Sequence, residues 1–209
     1  MPKKEVPMTH LSSFLPAGCT EDVLYFLHHY KVELTIKKQR ASVLGDYRHA
    51  NPGRTHRISV NGNLNTYAFL ITLLHELAHL LTFEKYGNRV QPHGIEWKSA
   101  FSEILSRFLA KKIFPQDIEQ ALQKTICNPS ASSCSDDGLL RVLHRYDNKG
   151  PDVCLVENIA ANGLFRIEGG RTFRKGEKVR TRFLCTELGT GRQYLFSGVH
   201  EVRMVAALV

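Results

Sequence analysis

The sequence predicts an α+β fold, with a small sheet and several helices first and a small β module at the C-terminal end. Three observations carry this. Between residues 32 and 60, short apolar/polar alternations are broken by turn residues, as in half-buried strands. From 65 to 126, apolar residues recur at helical spacing. After Pro151, short alternating runs are separated by glycines, the pattern of hairpins.

A chain of 209 residues makes one full domain or two small ones. The predicted organisation is a lead-in over 1–19, a domain over 20–127, a linker over 128–138 and a basic β-rich module over 139–209. The lead-in carries Pro2, Pro7 and Pro16 and is expected to be poorly structured. Thr20 is a good N-cap, and Glu21 and Asp22 suit the positive end of a helix. Val23, Leu24, Phe26 and Leu27 then form a short apolar stripe. Residues 32–36 alternate like a strand, 41–48 make a second, Asn51-Pro52-Gly53 is a turn, and 56–60 make a third.

A long helix is predicted from Asn65 to Tyr86, stopped by Gly87 and Asn88. Pro92 keeps the next stretch out of helix. A second helix follows from Ile95 to Lys112, with Trp97, Phe101, Ile104, Leu105 and Phe108 on one stripe. Pro115 opens a third, carrying Ile118, Leu122 and Ile126. Asn128 to Gly138 is small and polar, a linker composition. A short helix from Leu139 to Tyr146 precedes strands at about 153–157, 163–167, 178–186, 192–197 and 199–204, with hairpin turns at 168–171 and 188–192. There is no internal repeat.

The long helix contains His75-Glu76-Leu77-Ala78-His79, a His-Glu-x-x-His motif. Residues four apart share one helix face, so both imidazoles can address one ion, with Glu76 beside it. That is the arrangement of a zinc hydrolase, in which the glutamate takes a proton from a water activated by the metal. The surrounding run, Leu73 to Leu81, is apolar nearly all round, so the helix should be buried. Buried imidazoles and a carboxylate need partners, and a metal supplies one. Catalytic zinc takes three protein ligands. His93, at the junction into the second helix, is the candidate third; Glu96 and Glu103 are its rivals. The compact metzincin spacing is excluded, because Thr82 and Lys85 stand where its glycine and histidine belong.

Together, His75-Glu76-x-x-His79, the Tyr86-Gly87 loop and His93-Gly94 followed by Trp97-Lys98 resemble the SprT-like family, which includes the bacterial SprT proteins and the Spartan protease. Leu44-Gly45-Asp46-Tyr47-Arg48 and Ile58-Ser59-Val60-Asn61 are similar to the family's upstream segment, so the resemblance covers roughly residues 20 to 115. It implies a zincin-like metallopeptidase domain with one Zn²⁺ at His75, His79 and His93, Glu76 as general base, and a protein substrate, which for Spartan is protein crosslinked to DNA. One departure concerns a second zinc. Many relatives end in a ribbon with two Cys-x-x-Cys pairs, but Cys19, Cys127, Cys134, Cys154 and Cys185 have no such spacing. By analogy with zinc peptidases, the strand before the active helix is expected at the sheet edge, with Ile58, Ser59, Val60 and Asn61 as substrate-binding residues. Tyr47, Arg48 and Tyr86 are candidate oxyanion donors.

No apolar run approaches the ~20 residues that span a bilayer, and the N-terminus lacks an apolar signal core. Five cysteines, an odd number, favour a reducing compartment, so a cytoplasmic protein without a membrane partner is expected. The net charge of +8 fits a polyanionic partner such as DNA. From Leu139 onward, twelve Lys/Arg against seven Asp/Glu place +5 of that charge in the C-terminal part. Its densest cluster supplies the candidate nucleic-acid contacts Arg174, Lys175, Lys178, Arg180 and Arg182, with Phe173 available for base stacking. The competing reading is an ordinary sheet, with Val179, Thr181 and Phe183 facing the core and the basic residues facing water. His10, His49, His56, His144 and His200 have no partner at metal spacing and receive no role. The leading function is a zinc metallopeptidase. The alternatives are a DNA- or transcription-associated protein with a structural zinc, and a metal hydrolase acting on something other than peptide.

Overall fold

A computed structural model describes residues 8–40, 43–127 and 136–205. The chain divides into two compact units, Met1–Asp147 and Asn148–Val209.

In the first unit, a 3-10 segment, Met8–Phe14, leads into helix α1, Thr20–His29. Leu11, Leu15 and Cys19 are buried in the core, and Phe14 packs on Phe69 at 5.4 Å between ring centroids. From residue 8 onward, the expected loose lead-in is therefore part of the domain, because its apolar side chains have a core to enter. Thr20 is the first helical residue rather than the cap; Cys19 holds the cap position and makes no side-chain cap bond.

Three strands form one sheet, β1 (Glu33–Lys37), β2 (Gly45–Arg48) and β3 (Arg57–Asn61), in the order β1-β3-β2. β1 runs parallel to β3 and β2 antiparallel. This corrects the predicted substrate edge. Ile58, Ser59, Val60 and Asn61 lie on the central strand, with Ile58, Val60 and Asn61 buried, and their backbone is paired on both sides. The Arg40 guanidinium also donates to the Ser59 hydroxyl at 3.1 Å and to the Asn61 side-chain Oδ1 at 2.8 Å. The strand with an open edge on the metal-site side is β2.

Helix α2 (Thr66–Tyr86) packs against this sheet, with every residue from Ala68 to Ala78 buried. It is long and apolar enough to cross a membrane, yet 72% of its most apolar window is buried inside the protein, as in a core helix. Asn65 caps it, accepting from the Ala68 N–H at 2.9 Å. Helix α3 (Ile95–Ala110) lays the predicted stripe against α2, burying Trp97, Phe101, Ile104, Leu105 and Phe108. Helices α4 (Gln116–Cys127) and α5 (Asp137–His144) close the unit.

The predicted domain boundary moves. Helix α5 belongs to the first unit because Leu139 and Leu143 are buried in its core. The Asn65 side chain also donates to the Leu143 carbonyl at 3.1 Å and to Asp147 Oδ1 at 2.7 Å. Of the predicted linker, 128–135 lies outside the described residues, and Asp136 caps α5 through the Leu139 N–H.

The second unit is a six-stranded sheet of β4 (Val153–Leu155), β5 (Leu164–Arg166), β6 (Thr172–Val179), β7 (Arg182–Glu187), β8 (Gln193–Ser197) and β9 (Glu201–Met204), ordered β4-β9-β5-β6-β7-β8. The predicted strand at 178–186 is interrupted: 178–179 end β6, the chain turns at 180–181, and 182–186 belong to β7. The chain reverses at Arg180, whose φ is +56°, without the glycine or asparagine that normally marks such a turn. Val156, Ile159, Phe165, Phe173, Cys185 and Val202 form its core.

Candidate metal centre

His75 and His79 sit one turn apart on α2. His93 reaches them from the turn between α2 and α3. The Gly94 N–H bonds the Gln91 carbonyl at 3.0 Å, enclosing Pro92 and His93, and His93 has φ +59°. Proline followed by a positive φ is the signature of a type II turn, in which the second position normally takes glycine or asparagine. A histidine held there is locally strained, as residues at functional sites often are.

The three rings converge. His75 and His93 have their Nε2 atoms 3.2 Å apart, and one ligand atom from each of the three histidines lies within 4.8 Å of the others. Two nitrogens on one tetrahedral zinc, each at roughly 2.0–2.1 Å, stand about 3.3 Å apart, so the donor set fits that ion. Burial, reinforced by the two neighbouring imidazoles, lowers the His75 pKa to about 3; burial and then His93 lower that of His79 to about 4. Burial lowers His93 too. The rings are therefore neutral at neutral pH, with lone pairs free for a metal. The Trp97 indole packs on all three, at 4.6, 5.2 and 4.7 Å from the centroids of His75, His79 and His93, and stacks on Phe101. Glu96 and Glu103, the rival ligands, line a separate groove.

Glu76 is buried, and its carboxyl faces the backbone of β2. A Cβ on Gly45 would fall 2.5 Å from Glu76 Oε1, so a glycine is required there for the carboxylate to fit. Burial and then Asp46 push the Glu76 pKa up to about 8, against the opposing field of Arg40. Without an ion the carboxyl is thus held largely protonated at neutral pH, and a cation bound by the neighbouring histidines would favour the carboxylate that a general base must be.

A cleft of about 660 Å³ opens over these groups, lined by the three histidines, Glu76, Trp97 and the consecutive residues Val43 to Tyr47. The Asn61 N–H bonds the Leu44 carbonyl at 2.9 Å. Antiparallel alternation then turns the N–H and C=O of Gly45 and Tyr47 away from β3, toward the open edge.

Of the three predicted oxyanion donors, only Tyr47 lines the cleft. Arg48 pairs with Asp46 at 3.0 Å. Tyr86 lines the separate groove. Tyr47 does line the cleft, but its hydroxyl lies 2.9 Å from His56 Nδ1, and burial with the Glu84 charge raises its pKa, so it stays a protonated phenol. His56, given no role from sequence, is buried directly behind the cleft wall. Its signal was hidden, because no local pattern pairs it with Tyr47 across the turn or with the more distant Glu84.

In the second unit, Arg174, Lys178, Arg180 and Arg182 are exposed, and among the described residues none of their side chains makes a hydrogen bond or ion pair, although the Lys178 ammonium lies 6.0 Å from the Phe183 ring centroid. Lys175 is a correction. It is buried, with its ammonium donating to the carbonyls of Glu157 at 2.9 Å and Ile159 at 2.5 Å and lying over the Phe183 ring, so it cannot reach a phosphate. Phe173 is fully buried and cannot stack on a base, and Val179, expected inside, is 46% exposed at the hairpin tip.

The SprT-like family matches residues 21–125, half of the chain. Protein SprT of Glaesserella parasuis serovar 5 (strain SH0165) is 36% identical over 84 residues, covering 39% of this chain and 51% of that protein. Protein SprT of Pseudomonas fluorescens (strain Pf0-1) is 51% identical over 35 residues, covering 16% and 21% respectively. The chain thus spans about half the length of the first relative and about a fifth of the second. No solved structure matches it significantly.

Proposed function

The chain belongs to the SprT-like family, and from that membership we propose that it is a zinc-dependent metallopeptidase with a zincin-like catalytic unit. One observation carries the reading: three neutral imidazole donors converge beside a buried carboxyl, in a cleft walled by an open strand edge. His75, His79 and His93 would hold one Zn²⁺, which when bound polarises the scissile carbonyl and acidifies a water. Glu76 takes the water's proton and delivers it to the leaving amine. The outward peptide groups of Gly45 and Tyr47 pair with an extended substrate, so recognition is largely main-chain and tolerant of sequence. Trp97 walls the site and holds the imidazoles apart from bulk solvent.

The exposed Arg174, Lys178, Arg180 and Arg182 supply a nucleic-acid contact surface, and protein bound to DNA is the substrate class we assign. The free thiols of Cys19, Cys154 and Cys185 fit a reducing compartment, and we place the protein in the cytoplasm. The test is zinc content together with cleavage of a disordered protein, with and without DNA. Glu76→Gln should retain zinc and lose cleavage, whereas His79→Ala should lose both. Full cleavage by Glu76→Gln would refute the assignment, and zinc without cleavage by the wild type would favour a structural metal site.

A further inference from the structure

His56 and Glu84 lie outside the metal donor set, yet they form a chain of contacts that ends on it. The Ala50 N–H points at His56 Nδ1 from 3.3 Å. A backbone N–H can only donate, so Nδ1 is the acceptor nitrogen and the ring proton is on Nε2. The Tyr47 hydroxyl, 2.9 Å from the same Nδ1, must then be a second donor to it. The Nε2 side of the ring faces the Glu84 carboxylate, with Nε2 3.2 Å from Oε1, an ion-pair contact. The ring of Tyr47 stacks on His56 at 5.9 Å and 15° on one side and lies parallel to His79, at 6.4 Å and 3°, on the other. Phe83 meets His56 edge-on at 6.0 Å and fills the remaining side.

We propose that His56, braced by Glu84, is a positioning residue for the metal centre: by fixing the Tyr47 hydroxyl it holds the phenol ring flat against His79 and so sets the angle of that imidazole toward the ion. The inference rests on the reading of His75, His79 and His93 as metal ligands. Ligand imidazoles need such orienting neighbours, because a donor lone pair rotated off the ion loses affinity, and disturbing an outer neighbour typically costs ~10- to 100-fold in binding. The same contacts fix Tyr47 on β2, and hence the spacing between the histidine donors and the open strand edge.

The experiment is competition for Zn²⁺ between the full chain and a chromophoric chelator, with the thermal midpoint recorded for each variant. An asparagine at 56 places its carbonyl oxygen near the Nδ1 position and keeps an acceptor for Tyr47 and Ala50. A glutamine places its amide near Nε2, reaching Glu84 but not Tyr47. His56→Asn should therefore bind zinc close to wild type, whereas His56→Gln and Tyr47→Phe should each weaken it by ~10-fold or more, and the double variant no further. If His56→Gln fails to fold, Tyr47→Phe carries the comparison. Wild-type zinc affinity in Tyr47→Phe, or His56→Asn falling as far as His56→Gln, overturns the proposal while leaving the metal site standing. A wild-type chain that binds no zinc overturns both.

Discussion

Gly45→Ala tests the geometry of the Glu76 carboxyl, the proposed general base, without touching any ionisable group. The added methyl would lie 2.5 Å from Glu76 Oε1, 2.8 Å from Thr72 Cγ2 and 2.9 Å from Glu76 Cγ. Gly45 is not among the glycines with positive φ, so alanine fits its backbone and all of the strain falls on these contacts. Regaining an ordinary separation of about 3.4 Å requires the carboxylate to retreat by almost 1 Å. A displacement of that size at a reacting group costs on the order of 100-fold in rate, equivalent to about 2.7 kcal/mol of transition-state stabilisation. Overpacking should also destabilise the first unit by about 1–3 kcal/mol. The assay is kcat/KM on a disordered protein with zinc-loaded enzyme, alongside zinc content and a denaturant midpoint. Zinc should remain bound, since no histidine is displaced. A Gly45→Ala protein with undiminished turnover would show that Glu76 does not act from where it lies, and an unchanged midpoint would show that the close approach of strand and helix is wrong.

Asn65→Ala removes a helix cap and both bonds to Leu143 and Asp147, and should lower first-unit stability by about 2 kcal/mol; an unaltered urea midpoint would contradict the docking of α5. Glu187 accepts from Arg171 Nε at 2.6 Å and Thr190 Oγ1 at 2.5 Å, and these bonds, with Arg171 first, lower its pKa from 4.5 to about 2. A depressed folded-state pKa stabilises above the unfolded value and is lost as pH falls through the folded one. The second unit should therefore weaken between about pH 4.5 and 2, and Glu187→Gln should flatten that dependence in acid melts. Arg180→Glu/Arg182→Glu should weaken nucleic-acid binding and reduce its salt slope by about one per lost phosphate contact. Lys175→Met should instead lower the melting temperature of the second unit and leave the salt slope alone; the reverse result would return Lys175 to the binding surface.

The long helix and the stripe on α3 were readable because each is written in local periodicity: Asn65 caps where it should, and Trp97, Phe101 and Phe108 are buried as spaced. His93 was legible for a related reason, since Pro92 and Gly94 mark a turn that must bend the chain back over α2. What local pattern cannot carry is strand order. Residues 58–61 and 45–48 look equally like edge strands, and only the parallel pairing of β1 with β3 puts the former in the middle. The hairpin tip at Arg180 was missed because no glycine announces it, so Lys175 was read as one of a row of solvated cations rather than a buried anchor. Helix α5 was assigned to the wrong unit because its partners, α4 and the distant Asn65, lie on the far side of the linker-like stretch 128–138.

The brevity of β2 has a consequence for selection. Two outward-facing residues provide four hydrogen-bonding groups, each bond worth about 1 kcal/mol net, and the loss of translational freedom on association costs several kcal/mol or more. Such an edge, acting alone, holds a passing chain too weakly to capture it at cellular dilution. Under the proposed function, efficient cleavage would depend on tethering: a polypeptide kept nearby by some other attachment sees a local concentration orders of magnitude higher. Discrimination by neighbourhood rather than by residue identity is the behaviour a strand of four residues, Gly45–Arg48, is built to give.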